Sequence, residues 1–379
     1  MKFLTGIIGL VLLLSVACGS DDGEEGSVLT SLEISISKDR IDVGETATIA
    51  LVGKDQNGNE IDITSEVNWS TSNANASVDA SGIVMGLVIG DVTITATVED
   101  ISETIDVRVW DSTAPRTEIY VTDAAQFNNG GPYKVIRYDE DGGFAETLIS
   151  SNLAWPQHIV FLEDEGTMLV SNLSSNSINE FDINTGEHKG TFASVSNGPT
   201  RMKIGTDNLL YVLQWNNSAA VLRYDLDGNF VDEFTSIGIN QAIGMDWDAE
   251  GNFYVSSFQG SVRKFDAEGN DLGVFISSNI QGPTNISITE DNEMLVLDWK
   301  AGSIQKFDLN GAFIGTFASG LTQPEGIDML PDGKLLVGNG GGSTLKIYSS
   351  DGTSEGDLFS RGFGGLLQPN GVIVRLVNQ

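Results

Sequence analysis

Two side chains in the later part of the sequence could act chemically on a ligand, His158 and Arg201. His158 is one of two histidines, and Arg201 is one of 20 basic residues in a chain with 53 acidic ones. An imidazole titrates near neutral pH, and a guanidinium presents a planar fork that suits a carboxylate or a phosphate. Either residue could instead form an internal ion pair with Asp or Glu. The sequence leaves both the ligand-binding and the structural role open.

Three large apolar side chains, Trp215, Phe258 and Trp299, occur at equivalent places just after apolar segments. Such side chains can stack on a sugar ring or an aromatic group, or they can pack against a neighbouring loop. The residue that ends each segment is polar in six places, namely Asp123, Asn172, Gln214, Ser257, Asp298 and Asn339. These residues could cap strand ends through backbone hydrogen bonds or face a ligand. We expect the ligand site to comprise Trp215, Phe258, Trp299, His158, Arg201, Gln214 and Asp123.

The elements that would position these residues repeat along the chain. An aromatic residue followed by a turn with Gly recurs every 41 to 43 residues, with the aromatic at Tyr138, Phe181, Tyr224, Phe265, Phe307 and Tyr348. Asp-Gly and Asn-Gly pairs suit two-residue hairpins, and two further apolar segments precede the hairpins. Four short strands in about 42 residues are typical of a propeller blade, and blades must stack radially to bury their faces.

The two ends of the repeat region predict a closed ring. The first repeat begins at Glu118 and lacks its innermost strand, whereas residues 368–377 have the pattern of an innermost strand with no blade after it. Pairing these two parts completes six blades and covers the open edges. The starts of the innermost strands would then line the channel mouth, with His158, Arg201, Gly244, Asn285, Glu325 and Asn370. In the last two strands the neighbouring Gly326 and Gly371 are the alternative register.

Residues 28–110 form a separate unit in which five segments alternate apolar and polar residues, the pattern of an antiparallel sandwich. The stretches "VGET" (43–46), "VNWSTSN" (67–73), "VDASGIVMGL" (78–87) and "GDVTITA" (90–96) resemble a group 2 bacterial immunoglobulin-like domain, which implies a spacing or adhesive module. Residues 111–116 are the expected linker and residues 117–379 the expected propeller. The sequence therefore predicts an all-β protein, an Ig-like β-sandwich followed by a six-bladed β-propeller closed by the C-terminal strand.

The N-terminal segment has the composition of a secretory signal. Residues 1–17 contain Lys2 followed by an apolar stretch that is too short for a stable membrane span. "SVAC" resembles a bacterial lipobox, which implies cleavage before Cys18 and acylation, for example with palmitate, at the only cysteine; an ordinary signal peptide is the alternative. Residues 18–27 are typical of an acidic tether and resemble the surface-export signal of Bacteroidota lipoproteins. We expect a lipid anchor in the bacterial outer membrane, with the extracellular face favoured over the periplasmic one.

The repeats also resemble a known family. Starts such as "PEGID" (324–328) and hairpins of the form Arg/Lys-Phe/Tyr-Asp-x-x-Gly resemble NHL repeats, and six such blades resemble the wider NHL, SMP-30 and gluconolactonase-like propellers over residues 117–379. Hydrolases of the SMP-30 type hold one divalent cation with Glu, Asp and Asn oxygens, which hard cations prefer. Residues of suitable type for Ca²⁺ are Glu325, Asp298, Asn285 and Asn370, although the family's ligands do not match them motif by motif. Related lyases need several histidines for zinc, and two do not assemble that site.

Charge and motifs narrow the function classes. The formal net charge is −33 without a cluster of Lys and Arg, which excludes nucleic acid held through its phosphates. The sequence contains no Gly-x-Ser-x-Gly elbow. We expect a surface lipoprotein without catalysis, whose propeller binds a glycan, peptide or protein at the channel mouth while the Ig-like domain acts as a spacer. The alternatives are a metal-dependent hydrolase or lyase of the gluconolactonase-like type, and a structural or adhesive protein.

Overall fold

The computed structural model describes residues 27–63, 66–126 and 130–378. The expected signal peptide, Cys18 and nearly all of the expected tether lie outside the described residues. The chain divides into two compact units, Met1–Ser112 and Thr113–Gln379. In the described part of the chain, none of the helices has the length and apolar composition needed to cross a bilayer.

The first unit is a sandwich of two β-sheets. Its strands are β1 (Leu29–Ile36), β2 (Arg40–Asp42), β3 (Thr46–Asp55), β4 (Glu60–Ile61), β5 (Asn68–Thr71), β6 (Ala76–Val78), β7 (Ile83–Gly86), β8 (Gly90–Val98) and β9 (Ile101–Trp110). One sheet has the order β1-β3-β7-β6 with β4 paired to β3, and the other has the order β2-β9-β8-β5. Strand β8 alternates in burial, so that Val92 and Ile94 point into a core shared by both sheets.

The second unit contains six four-stranded antiparallel sheets, or blades. Blade one contains β10 (Arg116–Asp123), β11 (Lys134–Asp139) and β12 (Ala145–Ile149), and the last strand of the chain is its fourth. Blade two contains β13 (Pro156–Leu162), β14 (Thr167–Asn172), β15 (Ser177–Asp182) and β16 (His188–Ser194). Blade three contains β17 (Pro199–Ile204), β18 (Leu210–Gln214), β20 (Leu222–Tyr224) and β21 (Phe230–Glu233). The short strands β19 (Ser218–Ala219) and β22 (Ile239–Asn240) pair with each other beside blade three.

Blades four to six follow the same pattern. They are formed by β23 (Ala242–Trp247), β24 (Phe253–Ser257), β25 (Ser261–Phe265) and β26 (Asp271–Ile276); β27 (Pro283–Ile288), β28 (Glu293–Asp298), β29 (Ser303–Asp308) and β30 (Phe313–Ser319); and β31 (Pro324–Met329), β32 (Leu335–Asn339), β33 (Thr344–Tyr348) and β34 (Ser354–Asp357). The 3₁₀ turns are Glu163–Glu165, Gly340–Gly342 and Phe363–Gly365. The predicted all-β fold is confirmed.

The last strand, β35 (Pro369–Val377), closes the ring. It pairs antiparallel with β10 and becomes the innermost strand of blade one, with Arg116 opposite Val377 and Tyr120 opposite Ile373. Each innermost strand contacts the next one around the ring, from β35 through β13, β17, β23, β27 and β31 back to β35. The predicted closure by the C-terminal strand is therefore confirmed.

The repeated glycine of the hairpin turns is required for two reasons. Its φ angle lies between +67° and +89° in all six blades, which a residue with a side chain adopts only with strain. A Cβ at each of these glycines would also overlap a backbone carbonyl of the preceding blade, for the pairs Gly142–Leu358, Gly186–Leu148, Gly228–Phe192, Gly269–Phe234, Gly311–Phe275 and Gly352–Phe317. The turn thus shapes the hairpin and also permits close stacking of neighbouring blades.

The propeller has two loop-bearing edges. At the entry edge, the innermost strands begin and the second strands of each blade end, so this edge carries the connections between blades and between second and third strands. The hairpin edge, at the opposite end of the strands, carries the Gly turns. At the entry edge the two kinds of loop bond to each other, as in Leu173 N–H to Trp155 carbonyl at 3.2 Å and Trp299 N–H to Gly282 carbonyl at 2.9 Å.

Candidate functional site

A β-bulge at the start of the innermost strands decides which side chains face the channel. The register shifts, for example, between Pro156 and His158 and between Pro324 and Ile327. Alignment on the first residue of each strand makes Gly326 and Gly371 the counterparts of His158 and Arg201. Glu325 and Asn370 are the second residues of their strands and therefore lie one position before the counterparts of His158 and Arg201. Adjacent positions of a strand point to opposite faces, so this offset changes which residues share a face.

Arg201 lies inside the propeller and contacts strands of three other blades. Its side chain is 2% exposed, with Nη2 at 3.4 Å from Glu325 Oε1 and 3.1 Å from the Asn370 carbonyl oxygen. Nη1 donates to the Gln157 carbonyl. The fork that could have bound a ligand carboxylate is thus occupied by groups of the protein itself, and Arg201 holds the channel wall together.

Glu325 is the buried partner of this guanidinium. Burial raises the pKa of Glu325 to about 7, against the opposing effect of Arg201. Burial also lowers the pKa of Arg201, against the opposing effect of Glu325. Because Glu325 is only 6% exposed and its Oε1 faces Arg201, we assign it to an internal ion pair rather than to a surface site.

His158 lines a small cavity in the channel rather than an open mouth. The cavity has a volume of about 170 Å³ and extends from Arg201 past Met245 and Ile327 to Lys203 and Met329. Lys203 and Met329 are exposed, so the cavity reaches towards the hairpin edge. Burial, together with Arg201 and Lys203, holds the pKa of His158 well below its ordinary value, so the imidazole is neutral at pH 7. Its buried Nδ1 has no hydrogen-bond partner among the residues that the structure describes.

The polar residues that end the second strands all cap loops of the entry edge. Asp123, for example, is fully buried and accepts from the N–H groups of Leu367 and Gln368 at 2.9 and 2.8 Å. Three of the others also accept from backbone N–H groups: Asn172 from Ala154, Asp298 from Gln281 and Gly282, and Asn339 from Thr322. Gln214 donates to the Ala220 carbonyl and accepts from the Asn197 side chain, and Ser257 donates to the Asn240 carbonyl. The structure thus places Asp123 and Gln214, both expected at the ligand site, inside the fold as capping residues.

The four residues proposed for Ca²⁺ are engaged by groups of the protein itself, and Asn285 Oδ1, for example, accepts from the Ile286 N–H at 3.0 Å. The Asp298 carboxylate accepts from four backbone N–H groups, including Gln281 at 2.6 Å and Gly282 at 3.0 Å. Glu325 and Asn370 both face Arg201, and a guanidinium and a cation compete for the same oxygens. Within residues 27–63, 66–126 and 130–378, no group of three His, Cys, Asp or Glu side chains is arranged to hold a metal ion. The residues present therefore do not fit the cation that the resemblance implied.

The three predicted aromatics come together at the entry edge on blades three, four and five. Ring centroids lie 5.6 Å apart for Trp215 and Phe258, and 5.8 Å apart for Phe258 and Trp299. All three side chains are half-buried, so each keeps part of its surface in solvent. We call this continuous surface, formed by Trp215, Phe258 and Trp299, the aromatic strip.

Backbone bonds hold the aromatic strip in place. Gln241 donates its N–H to the Trp215 carbonyl at 3.2 Å and accepts from the Phe258 N–H at 3.0 Å, which joins two adjacent blades. The Trp299 N–H is bonded to the Gly282 carbonyl at 2.9 Å. A surface whose backbone is fixed before a ligand arrives loses little conformational entropy on binding.

Lys300, which was not predicted from the sequence, completes this surface. Its Nζ lies 4.6 Å from the Phe258 ring centroid, a cation–π distance, and donates to the Phe258 and Gln281 carbonyls at 3.4 and 3.3 Å. A lysine directly after Trp299, in a chain with few cations, was the signal that could have identified it. The entry edge therefore offers three ring surfaces and one fixed positive charge.

Comparison with known proteins gives one family match and several similar solved structures. The bacterial Ig-like domain (group 2) family matches residues 32–109. The nidogen/laminin complex structure has a TM-score of 0.55 at 13% identity, covering 69% of this chain and 99% of that chain. A Bacteroides caccae protein of unknown function has a TM-score of 0.53 at 15% identity, covering 68% and 98%. A putative gluconolactonase reaches a TM-score of 0.48 at 12% identity, covering 58% and 81%.

These similarities concern the fold alone. The chain is an all-β protein with an Ig-like unit and a propeller, as its own sheets show. The sequence has no match among curated proteins. The site must therefore be interpreted from its own residues, because one propeller fold hosts many unrelated activities.

Proposed function

We propose that this protein is a lipid-anchored outer-membrane protein of the bacterial cell surface whose propeller binds an extracellular glycan, peptide or protein at the entry edge. The Ig-like unit serves as a spacer. The single observation that carries the binding function is the aromatic strip, because three adjacent half-exposed aromatic rings form a preorganised apolar surface. Clusters of this kind dominate the free energy of binding at many interfaces.

Binding is favoured over hydrolysis by the state of the candidate catalytic groups. Glu325, the buried carboxyl with a pKa near neutrality, is paired with Arg201 and does not face the aromatic strip. The carboxylate of Asp298, which precedes Trp299 in the sequence, accepts hydrogen bonds from backbone N–H groups. A general acid or base must reach the atoms that react, and these two carboxyl groups are directed into the fold.

The aromatic strip predicts which variants lose binding. We expect Trp215→Ala and Trp299→Ala each to weaken binding of a glycan or peptide identified on an array by about 30-fold, since Trp side chains at binding hot spots commonly contribute about 2 kcal/mol or more. Isothermal titration of the purified full-length chain measures the dissociation constants. Phe313→Ala, at a 43% exposed aromatic outside the strip, is the matched control and should leave affinity unchanged. Equal affinities in all three variants would rule out the strip as the binding surface.

The lipid anchor has a separate test. Cys18→Ser in the full chain, expressed in a Gram-negative host, is expected to abolish incorporation of labelled palmitate and to move the protein from the membrane fraction to the soluble fraction. The anchor would depend on this one thiol because the chain has a single cysteine. If the variant stays with the outer membrane and carries label, acylation at Cys18 is refuted.

A further inference from the structure

The entry edge is free of acidic residues in its loops. Twelve connections meet there, six between consecutive blades and six between second and third strands, and none of them contains Asp or Glu. This is unusual in a chain with 53 acidic residues. Four acids end strands at this edge, and two of them, Asp123 and Asp298, end second strands and are fully buried and saturated by backbone N–H groups. Glu233 and Asp357 end the outermost strands, at the outer rim of the blades.

Hydrogen bonds within the turns explain why acidic residues are common at the hairpin edge, but they do not explain why the entry-edge loops have none. Ten of the eleven loops at the hairpin edge contain Asp or Glu, and side chains such as Asp225 and Asp266 accept from N–H groups of their own turns. At the entry edge, four of the six strand-end caps are uncharged, namely Asn172, Gln214, Ser257 and Asn339. Aspartate makes the same cap at the other two positions. The neutral residues thus remove charge without being required by the fold.

The exposed charges that remain in the entry-edge loops are positive. Lys300 lies on the aromatic strip, and Arg361 is exposed in the connection to the last strand. The acids of the hairpin edge are about 20 Å away, the length of a six-residue strand, whereas the Debye length is about 8 Å at physiological salt. An anion at the entry edge is therefore largely screened from those acids.

We propose that the ligand of this edge is an anionic glycan, one that carries carboxylate or sulfate groups on its sugar rings. This inference rests on the proposed binding function and adds the class of ligand. Neutral sugars are commonly bound through carboxylates, which accept well from hydroxyl groups, so a neutral ligand gives no reason to remove them. The aromatic strip supplies faces for sugar rings, and the exposed amides of Asn216 and Gln259 beside it supply hydrogen bonds. An acidic peptide would use the positive charges but has less use for adjacent ring faces.

The test compares each acidic glycan with its uncharged ester and with an anionic polymer that has no sugar rings. The purified full-length chain is titrated with polygalacturonate, alginate and hyaluronan, with the methyl ester of each, and with polyglutamate as an anion without sugar rings. We expect at least one acidic glycan to bind ten-fold or more tightly than both its ester and polyglutamate. Equal or tighter binding of the esters, or of neutral glycans alone, overturns the inference. Equal binding of polyglutamate overturns the assignment to a glycan.

Introducing one acidic residue at the entry edge should weaken binding of the acidic glycan more than binding of its ester. Gln259→Glu, which keeps the size of the side chain, is expected to weaken binding of the acidic glycan about ten-fold and of its ester less than two-fold. Asn184→Asp makes the same charge change in a loop of the hairpin edge and should change neither affinity. Loss of both affinities alike in Gln259→Glu overturns the charge argument. Trp299→Ala tests the proposed function independently, because it should weaken every glycan that binds, whether charged or neutral.

Discussion

Replacing Arg201 with methionine is expected to lower the free energy of unfolding of the propeller by about 3 to 5 kcal/mol at pH 7. The guanidinium donates to Glu325 and to the backbone carbonyls of Asn370 and Gln157, all of which are buried. Methionine fills similar volume but removes the guanidinium donor from these buried groups, and the loss of a partner by a buried polar group is costly. Urea denaturation followed by hydrogen exchange of propeller peptides measures the loss.

Lys203, two residues further along the same strand, provides the matched control. Its side chain is 48% exposed and its Nζ lies 2.5 Å from Asp246 Oδ1. Exposed ion pairs of this kind contribute about 1 kcal/mol or less, so Lys203→Met should have a small effect. A loss in Arg201→Met no larger than that in Lys203→Met would show that the buried pair does not hold the blades together.

The pH dependence of the free energy of unfolding tests whether Glu325 is the partner of Arg201. An acid whose pKa is raised in the folded state stabilises the fold below its unfolded pKa, and this contribution is lost as the pH rises through the folded value. For Glu325 that interval runs from 4.5 to about 7, which corresponds to about 3 kcal/mol. In Arg201→Met the carboxyl loses its counter-charge, so the decline should continue above pH 7 at up to about 1.4 kcal/mol per pH unit. Adding Glu325→Gln to Arg201→Met should abolish that slope, and a persisting slope would assign it to another group.

The fold could be predicted from the sequence because each blade is encoded locally. A hairpin with Gly, two apolar segments and a period of 41 to 43 residues define a four-stranded sheet without reference to the rest of the chain. Closure was also predictable, since residues 118–123 lacked an inner strand and residues 368–377 lacked a blade. In the Ig-like unit, short strands such as β2 (Arg40–Asp42) and β4 (Glu60–Ile61) were missed because two or three residues carry no periodic signal. The ten-residue strand β9 (Ile101–Trp110) was missed as well, and most of its first half is exposed.

The channel could not be predicted, because its contacts join residues far apart in sequence. The bulge between Pro324 and Ile327 decides whether Glu325 or Gly326 faces the axis, and a period-two pattern does not reveal a bulge. The partners of Arg201 lie 44, 124 and 169 residues away, on other blades. The aromatic strip was predictable because its three members occupy the same place in three consecutive repeats. Its lysine was missed because only one repeat carries it, so the comparison of repeats did not reveal it.

A chain that ends at Gln368 is expected to lose the cooperative unfolding of the propeller altogether. Strand β35 buries Val372 and Ile373, which contribute about 1.5 to 3 kcal/mol each, and it carries Asn370 to Arg201. It also supplies Arg375, whose Nη1 lies 3.1 Å from the fully buried Glu118. Together these losses approach the 5–15 kcal/mol that stabilise a whole domain. Calorimetry and hydrogen exchange of the full-length and shortened chains measure the effect.

Glu118 shows why the closing strand has no local substitute. Burial alone would raise the pKa of Glu118, but Arg137, the Tyr120 hydroxyl and Arg116 hold it below its ordinary value. Arg375 binds the same carboxylate and the more exposed Glu163, and so ties blade one to blade two. A chain ending at Val377 keeps all of β35 and should unfold like the full-length protein. If the chain ending at Gln368 unfolds at nearly the same temperature, with protected amides in β10, the ring is not held by its last strand and the entry edge loses the rigid frame on which the aromatic strip depends.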